Sequence, residues 1–293
     1  MQNFINDYKQ KGFAVIRKLF EKHELEELSI AADELKKEGL RHEKSYRHKN
    51  LLFLIQHDSQ KGKVLRFCQW PSYSNRVFEK YRTDKRFLQV LKPLIGENIK
   101  QIINQVIWKT PGMQSTSYGF HQDARFRRPV EAYRDLSNSY IQTALAIDPN
   151  TAENGSLVVV EGSHLLGDLK YYTANSVYKE TISDDVLDQL GVAHLPQIKI
   201  LLEPGDLVIW HPYLIHGSGP NLSRIDRRNY INGFIRADAC DLGEWVFKDG
   251  EPAHLGEPVL VNYMDLFTRP DPHYIDGSPH PVSKNQNSDP HGQ

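Results

Sequence analysis

The chain has 293 residues, 39% hydrophobic and 25% charged, and its 36 Lys and Arg nearly cancel its 37 Asp and Glu. That composition belongs to a globular protein, and a net charge of −1 gives no global field that would favour nucleic acid. No apolar run reaches the roughly 20 residues of a bilayer-spanning helix, and the polar start MQNFINDYKQ lacks the apolar core of a secretory signal. Cytoplasmic location and no membrane partner are therefore expected. Two cysteines, Cys68 and Cys240, are too few for a Cys-based zinc site and read as buried thiols rather than a disulfide framework.

From Lys22 to Lys37, Leu25, Leu28, Ala32 and Leu35 recur at three- and four-residue spacing, which predicts a helix lying on a core and ended by Gly39. A second helix is predicted near Thr83–Ile95, with Phe87, Val90, Leu91 and Leu94 on one face. Beyond residue 100 the runs IKQIINQVIWK, SYIQTALAID, GSLVVVEGS, GDLVIW and RRNYINGFIRAD are short and β-rich, separated by Pro-Gly, Asp-Pro and Asn-Gly punctuation. Many short strands with turn signals predict a mainly β fold, a barrel or double-sheet jelly roll, with flanking N-terminal helices. The expected organisation is one domain over residues 1–279, helical to about 98 and jelly roll from about 99. The polar, Pro-rich residues 280–293 are expected to be a disordered tail.

The stretch FHQDARF places His121 and Asp123 two apart, so on a strand both side chains face one way, as a chelating pair requires. Chance supplies a pair or two of this kind in a chain with 13 histidines and 37 acidic residues, so the motif needs company. WHPYLIHGSGPNLSRIDRR supplies it: a strand, then His216, then Arg227 eleven residues on. Two histidines and one carboxylate make the facial triad of non-haem Fe(II) oxygenases, which leaves one face of the metal open. The bland alternative for His121 and Asp123 is a solvated pair on a strand rim. His211, five residues before His216, is a competing ligand that reads as structural.

The combination HQD, NGSLVVVEGSH, WHPYLIHGSGPN and a following arginine, over roughly residues 100–240, resembles the phytanoyl-CoA dioxygenase family of Fe(II)/2-oxoglutarate-dependent oxygenases. Gly12–Phe20 is similar to the short N-terminal strand such proteins often have. The resemblance implies a double-stranded β-helix (jelly roll, cupin-like), with His121, Asp123 and His216 as catalytic iron ligands and Arg227 as the clamp on the distal carboxylate of 2-oxoglutarate. A guanidinium fork matches that carboxylate bidentately, better than a lysine can. Ser218, two residues past His216, would share its face and contact the same carboxylate. Lys109 and Asn104, before the His-x-Asp pair, are further candidate cosubstrate contacts. The implied cofactors are Fe(II), 2-oxoglutarate and O₂, with ascorbate a candidate reductant.

Arg227 competes with Arg224 and Arg228, and strand alternation sends Arg228 to the opposite face. Arg125, Arg127 and Arg128 read either as a solvated loop or as an anion-receiving rim beside the iron. Tyr140 and Gln142 share a strand face and read as pocket lining or as a core pair. Arg66, Trp70 and Tyr73 read as a lid segment or as packing. The function expected is hydroxylation or other oxidation of a small-molecule substrate, with 2-oxoglutarate converted to succinate and CO₂. The alternatives are a jelly-roll sensor of metal and 2-oxoglutarate without turnover, and a zinc hydrolase using the same ligands. Substrate identity and oligomeric state are not legible.

Overall fold

The computed structural model describes residues 2–113, 116–170, 182–259, 269 and 271–275, so the expected tail at 280–293 lies outside the described residues. Four helices precede most of the sheet: α1 (Gln2–Lys11), α2 (Lys22–Gly39), α3 (Arg76–Arg82) and α4 (Lys85–Ile95). Helix α2 starts at a capping box in which Glu24 accepts from the Glu21 backbone N–H at 2.8 Å, and it buries Leu25, Leu28, Ala31, Ala32 and Leu35. Asn75 and Asp84 cap α3 and α4 by accepting from the N–H groups of Val77 and Arg86. Gly39 does not end its helix by a left-handed turn. It is the last helical residue, as the sequence predicts, and a Cβ there would come within 2.9 Å of the Phe53 ring, so it also lets α2 pack closely on the sheet.

The strands are β1 (Phe13–Ile16), β2 (Tyr46–His48), β3 (Leu51–Asp58), β4 (Gly62–Gln69), β5 (Ile99–Lys109), β6 (Tyr118–His121), β7 (Tyr140–Ala146) and β8 (Leu157–Val160). They continue with β9 (Gln197–Ile200), β10 (Leu207–Trp210), β11 (His216–Ser218), β12 (Arg227–Arg236), β13 (Glu244–Lys248), β14 (Glu251–Pro252) and β15 (His273–Tyr274). The major sheet runs β1-β10-β7-β12-β5-β4-β3-β2-β15, with β13 and β14 beside β5, and the minor sheet runs β6-β11-β8-β9. The fold is a jelly roll of antiparallel strands with helices on its outer face. No described helix is long and apolar enough to cross a membrane. Cys68 and Cys240 are buried free thiols.

One expectation needs correcting: residues 1–98 are not wholly helical. Strands β2, β3 and β4 lie there and widen the major sheet. The β3–β4 turn is built by Asp58, whose carboxylate accepts from the N–H groups of Gln60 and Lys61 at 2.9 Å each. Such local side-chain bonding makes a tight turn without a Pro-Gly or Asn-Gly signature.

The central strands are buried on both faces, which is why β7 reads as an unbroken buried run. On the outer face Ile141, Leu145, Val106, Trp108, Tyr230 and Phe234 pack with the helices in one continuous core. The inner faces of the two sheets meet over Ala144, Ala146, Val159, Leu202, Val208 and Trp210. Between the sheets lies a cavity of about 370 Å³.

Candidate functional site

His121 ends β6 and His216 opens β11, and the two are direct partners in the minor-sheet ladder, which sets their rings 4.3 Å apart. Asp123 is not on the strand. It opens a 3-10 turn, Asp123–Phe126, directly after β6, so the His-x-Asp pair converges through a strand end rather than through regular alternation. Asp123 Oδ1 lies 3.6 Å from His121 Nε2, and Oδ2 lies 3.6 Å from His216 Nε2. One ligand atom from each of the three lies within 4.8 Å of the others, and all three residues are buried.

The surroundings suit a metal. Each histidine Nδ1 sits on a backbone carbonyl, Gly119 at 2.8 Å and Leu214 at 2.9 Å, which selects the tautomer with a lone pair on Nε2. Burial pushes the His216 imidazole down to about 4, opposed by Asp123, so it is neutral and ligand-competent at neutral pH. Burial disfavours the Asp123 carboxylate, but His216, His121 and Arg127 outweigh it and hold the acid well below its ordinary range. The Trp210 indole donates to Asp123 Oδ2 at 2.9 Å and fixes its rotamer. A carboxylate and two imidazoles converging on one point fit a divalent cation with an open face.

Arg227 opens β12 opposite Lys109 at the end of β5. It is buried and reaches the cavity, with one terminal nitrogen donating to Asn150 Oδ1 at 2.8 Å and no hydrogen-bond partner for its Nε. Burial pushes its pKa down to about 10, so it remains a cation at neutral pH. Lys109 is buried beside it and donates to Ser218 Oγ at 2.8 Å and to the carbonyls of Ser218 and Gly219. Burial, then Arg227 and Arg66, push the Lys109 ammonium down to about 6. A guanidinium with a donor to spare, flanked by a lysine and a hydroxyl, is a receiver for a carboxylate. Arg228 points the other way, as alternation requires, with Asp148 and Asp33.

The remaining predicted residues divide. Asn104 turns to the outer face of β5, where it bonds Tyr230, Asn232 and Ser72, because it is five residues from Lys109 and a strand alternates every residue. Gln142 lines the cavity, whereas Tyr140 is buried behind it and donates its hydroxyl to Gln142 Oε1. Gly233 leaves room for that pair, since a Cβ there would strike both side chains. Arg125 and Arg127 are each only 4% exposed and line the cavity, so the solvated-loop reading does not hold for them. His211 lies apart from the triad and spends its ring nitrogens on the Ser137 carbonyl and the Tyr213 N–H. His164 holds the Lys9 carbonyl. Trp70 and Tyr73 are packing: Trp70 is buried and Tyr73 donates to Glu244.

Sequence reasoning missed Phe67 and Gln69 on β4, Gln105 on β5, and Asn150. The alternation of Phe67 and Gln69 is visible in RFCQ, but it becomes informative only once β4 is known to pair with β5.

The model of the family "Phytanoyl-CoA dioxygenase (PhyH)" matches residues 8–229. Phytanoyl-CoA dioxygenase, peroxisomal, of Rattus norvegicus is 26% identical over 260 residues, covering 80% of this chain and 66% of that protein. The chain therefore spans just under two thirds of that relative's length. A probable alpha-ketoglutarate-dependent hypophosphite dioxygenase of Stutzerimonas stutzeri is 26% identical over 189 residues, covering 61% of this chain and 60% of that protein. Among solved structures, EctD from S. alaskensis with 2-oxoglutarate and 5-hydroxyectoine superposes with a TM-score of 0.64 at 17% identity, covering 90% of this chain and 87% of that one. That likeness concerns the fold.

Proposed function

Because this chain belongs to the phytanoyl-CoA dioxygenase family, we propose that it is an Fe(II)/2-oxoglutarate-dependent dioxygenase that hydroxylates a C–H bond of a small molecule. One observation carries the reading. Three buried ligand atoms within 4.8 Å and a buried guanidinium with an unpartnered Nε open onto the same cavity. A zinc hydrolase has no use for the second element.

In this reading His121, Asp123 and His216 hold Fe(II). The bound iron supplies oxidative decarboxylation of 2-oxoglutarate by O₂, giving succinate and CO₂, with the second oxygen atom going to the substrate. The chain's own part is placement. The Gly119 and Leu214 carbonyls and the Trp210 indole keep the three ligands in register. Arg227 receives the distal carboxylate of 2-oxoglutarate with Ser218 and Lys109 beside it, held from behind by Asn150. Leu157, Leu202, Val208 and Ile231 wall off water, which strengthens these charge contacts. Ascorbate serves only as accessory reductant.

The test is anaerobic purification followed by iron analysis, 2-oxoglutarate titration and succinate measurement after O₂ is admitted. Wild type should bind both and form succinate. His121→Ala, Asp123→Ala and His216→Ala should lose iron and turnover, while His211→Ala should keep its activity per bound iron. A wild-type protein that binds neither iron nor 2-oxoglutarate overturns the reading. One that binds both but forms no succinate is a sensor instead.

A further inference from the structure

We propose that Gln69 and Gln105 form a subsite for the end of the substrate remote from the carbon that reacts. The group they receive is uncharged and both donates and accepts a hydrogen bond, as a hydroxyl or a carboxamide does. This rests on the dioxygenase reading and names the class of molecule that reading leaves open.

The register places the pair. Gln69 on β4 stands opposite Gln105 on β5, and Gln105 stands opposite Ile231 on β12. The same row continues to Ala144 on β7 and Val208 on β10, and all of these side chains line the cavity. Trp210, whose indole holds the metal ligand Asp123, belongs to β10, the strand at the other end of that row from β4. Arg227, the cosubstrate clamp, lies further along β12, opposite Lys109. The glutamines therefore share one cavity with the triad and the clamp but stand apart from both. A molecule that presents one carbon to the metal reaches the glutamines with its other end.

Their surroundings are apolar. Phe67, Ile103, Ile107 and Ile231 flank the pair on the inner face of the sheet. Gln69 is 7% exposed. Its Nε2 donates to Gln105 Oε1 at 3.4 Å, near the long limit of a hydrogen bond, and its Oε1 has no partner among the described residues. An orphaned acceptor so deep in a fold is rare and costs stability. Leucine at both positions would fill the same wall without that cost, so the two amides weaken the apo protein in a way that a ligand explains.

The chemistry of the ligand follows from the amides. One hydrogen bond between two carboxamides leaves an acceptor on one, Gln69 Oε1, and a donor on the other, Gln105 Nε2. Turning both amides over exchanges these roles and still leaves one of each. A hydroxyl meets both through its single oxygen, and a carboxamide through its N–H and its carbonyl. A hydrocarbon meets neither and buries both unpaired. A site of this kind therefore discriminates strongly against analogues that lack the group.

The experiment uses the full chain, loaded anaerobically with iron and 2-oxoglutarate. The probes are hexanamide and 1-hexanol, with N,N-dimethylhexanamide and hexyl methyl ether, which lack the donor, as their controls. Binding is read by calorimetry, and stimulation of succinate formation is read after O₂ is admitted. At least one donor-bearing probe should bind about 10-fold or more tightly than its control. Whichever of hexanamide and 1-hexanol shows the larger margin identifies the group. Gln69→Leu, alone or combined with Gln105→Leu, should erase that margin. Apo stability gives a second readout that needs no probe. The double variant should unfold in urea at a midpoint equal to or above that of wild type, because both unpaired ends are removed together. A structural pair, or one satisfied by a bound water, gives the reverse: a lower midpoint with the probe margin intact. The proposal is overturned if the double variant's midpoint falls, if controls bind as well as donor-bearing probes, or if the margin survives loss of both amides. It is equally overturned if no probe binds to a protein that takes up 2-oxoglutarate. Each of these results leaves the dioxygenase reading standing. Failure of wild type to bind 2-oxoglutarate at all removes both.

Discussion

Two buried guanidiniums lie on opposite sides of the same sheet and are treated in opposite ways. Arg82, at the end of α3, has a fully buried side chain. Its Nε and one terminal nitrogen donate to the Glu79 carboxylate at 2.7 and 3.1 Å, and the rest of the fork meets the carbonyls of Trp245 at 2.9 Å and Ala253 at 2.6 Å. Arg227, on the cavity side, has one amide partner and an unpartnered Nε. A buried ion with every nitrogen engaged fastens elements together, here α3 to β13 and the chain beyond β14. A buried ion with donors in reserve costs the apo protein stability and is explained by a ligand.

The comparison breaks most visibly at Arg82. Arg82→Ala strands Glu79 and two carbonyls, and should cost about 3–5 kcal/mol of stability by chemical denaturation. Folded Arg82→Ala should bind 2-oxoglutarate as wild type does. A loss below 1 kcal/mol would mean that the network does not fasten the fold.

Arg227→Ala should do the reverse. Loss of a bidentate charge pair of about 2–5 kcal/mol corresponds to 2-oxoglutarate binding weaker by about 30-fold to several thousand-fold. Stability of the apo protein should hold or rise, since an incompletely partnered buried cation is removed. Arg227→Lys should recover only part of the affinity, because a point charge does not reproduce the fork. Unchanged 2-oxoglutarate affinity in Arg227→Ala would move the clamp elsewhere.

Lys109 sharpens the contrast through pH. Its pKa in the folded state is pushed down to about 6, against about 10.4 for an unperturbed lysine. Between these values the unfolded chain binds more protons than the folded one, so this residue makes stability rise with pH over that window, by at most about 1.4 kcal/mol per unit. Lys109→Met should remove that rise, seen as a wild-type denaturation midpoint that climbs relative to the variant's between pH 6 and pH 9. Parallel curves would contradict it. The smallest effect belongs to Arg228, whose ion pairs with Asp148 and Asp33 lie on the outer face. Arg228→Ala should cost about 1 kcal/mol and leave 2-oxoglutarate affinity alone.

Much of the site was legible because it is written in short intervals. His121 and Asp123 are two apart, His216 stands in a dense motif, and eleven residues separate it from Arg227 on the next strand. A barrel or jelly roll followed from short strands and turn punctuation after residue 100, and the family resemblance selected the jelly roll. Strands β2 to β4 escaped because LLFLIQHD and GKVLRFCQ show neither clean alternation nor a familiar hairpin dipeptide. Missing β4 also hid Phe67 and Gln69.

What the chain offered by itself was a set of candidate groups, imidazoles, a carboxylate and competing guanidiniums, with their order along the strands; the family resemblance chose among them. Side-chain alternation and turn chemistry are local, so they survive reading one residue at a time. What tertiary structure decided was which groups share a volume. It turned Asn104 away from the cavity and Gln69 into it, and took Arg125 and Arg127 out of water beside the triad. Those outcomes depend on which strand lies next to which, and on the register and burial that follow. Pairings between residues as distant as 109 and 227, or 121 and 216, are set by the packing of whole sheets.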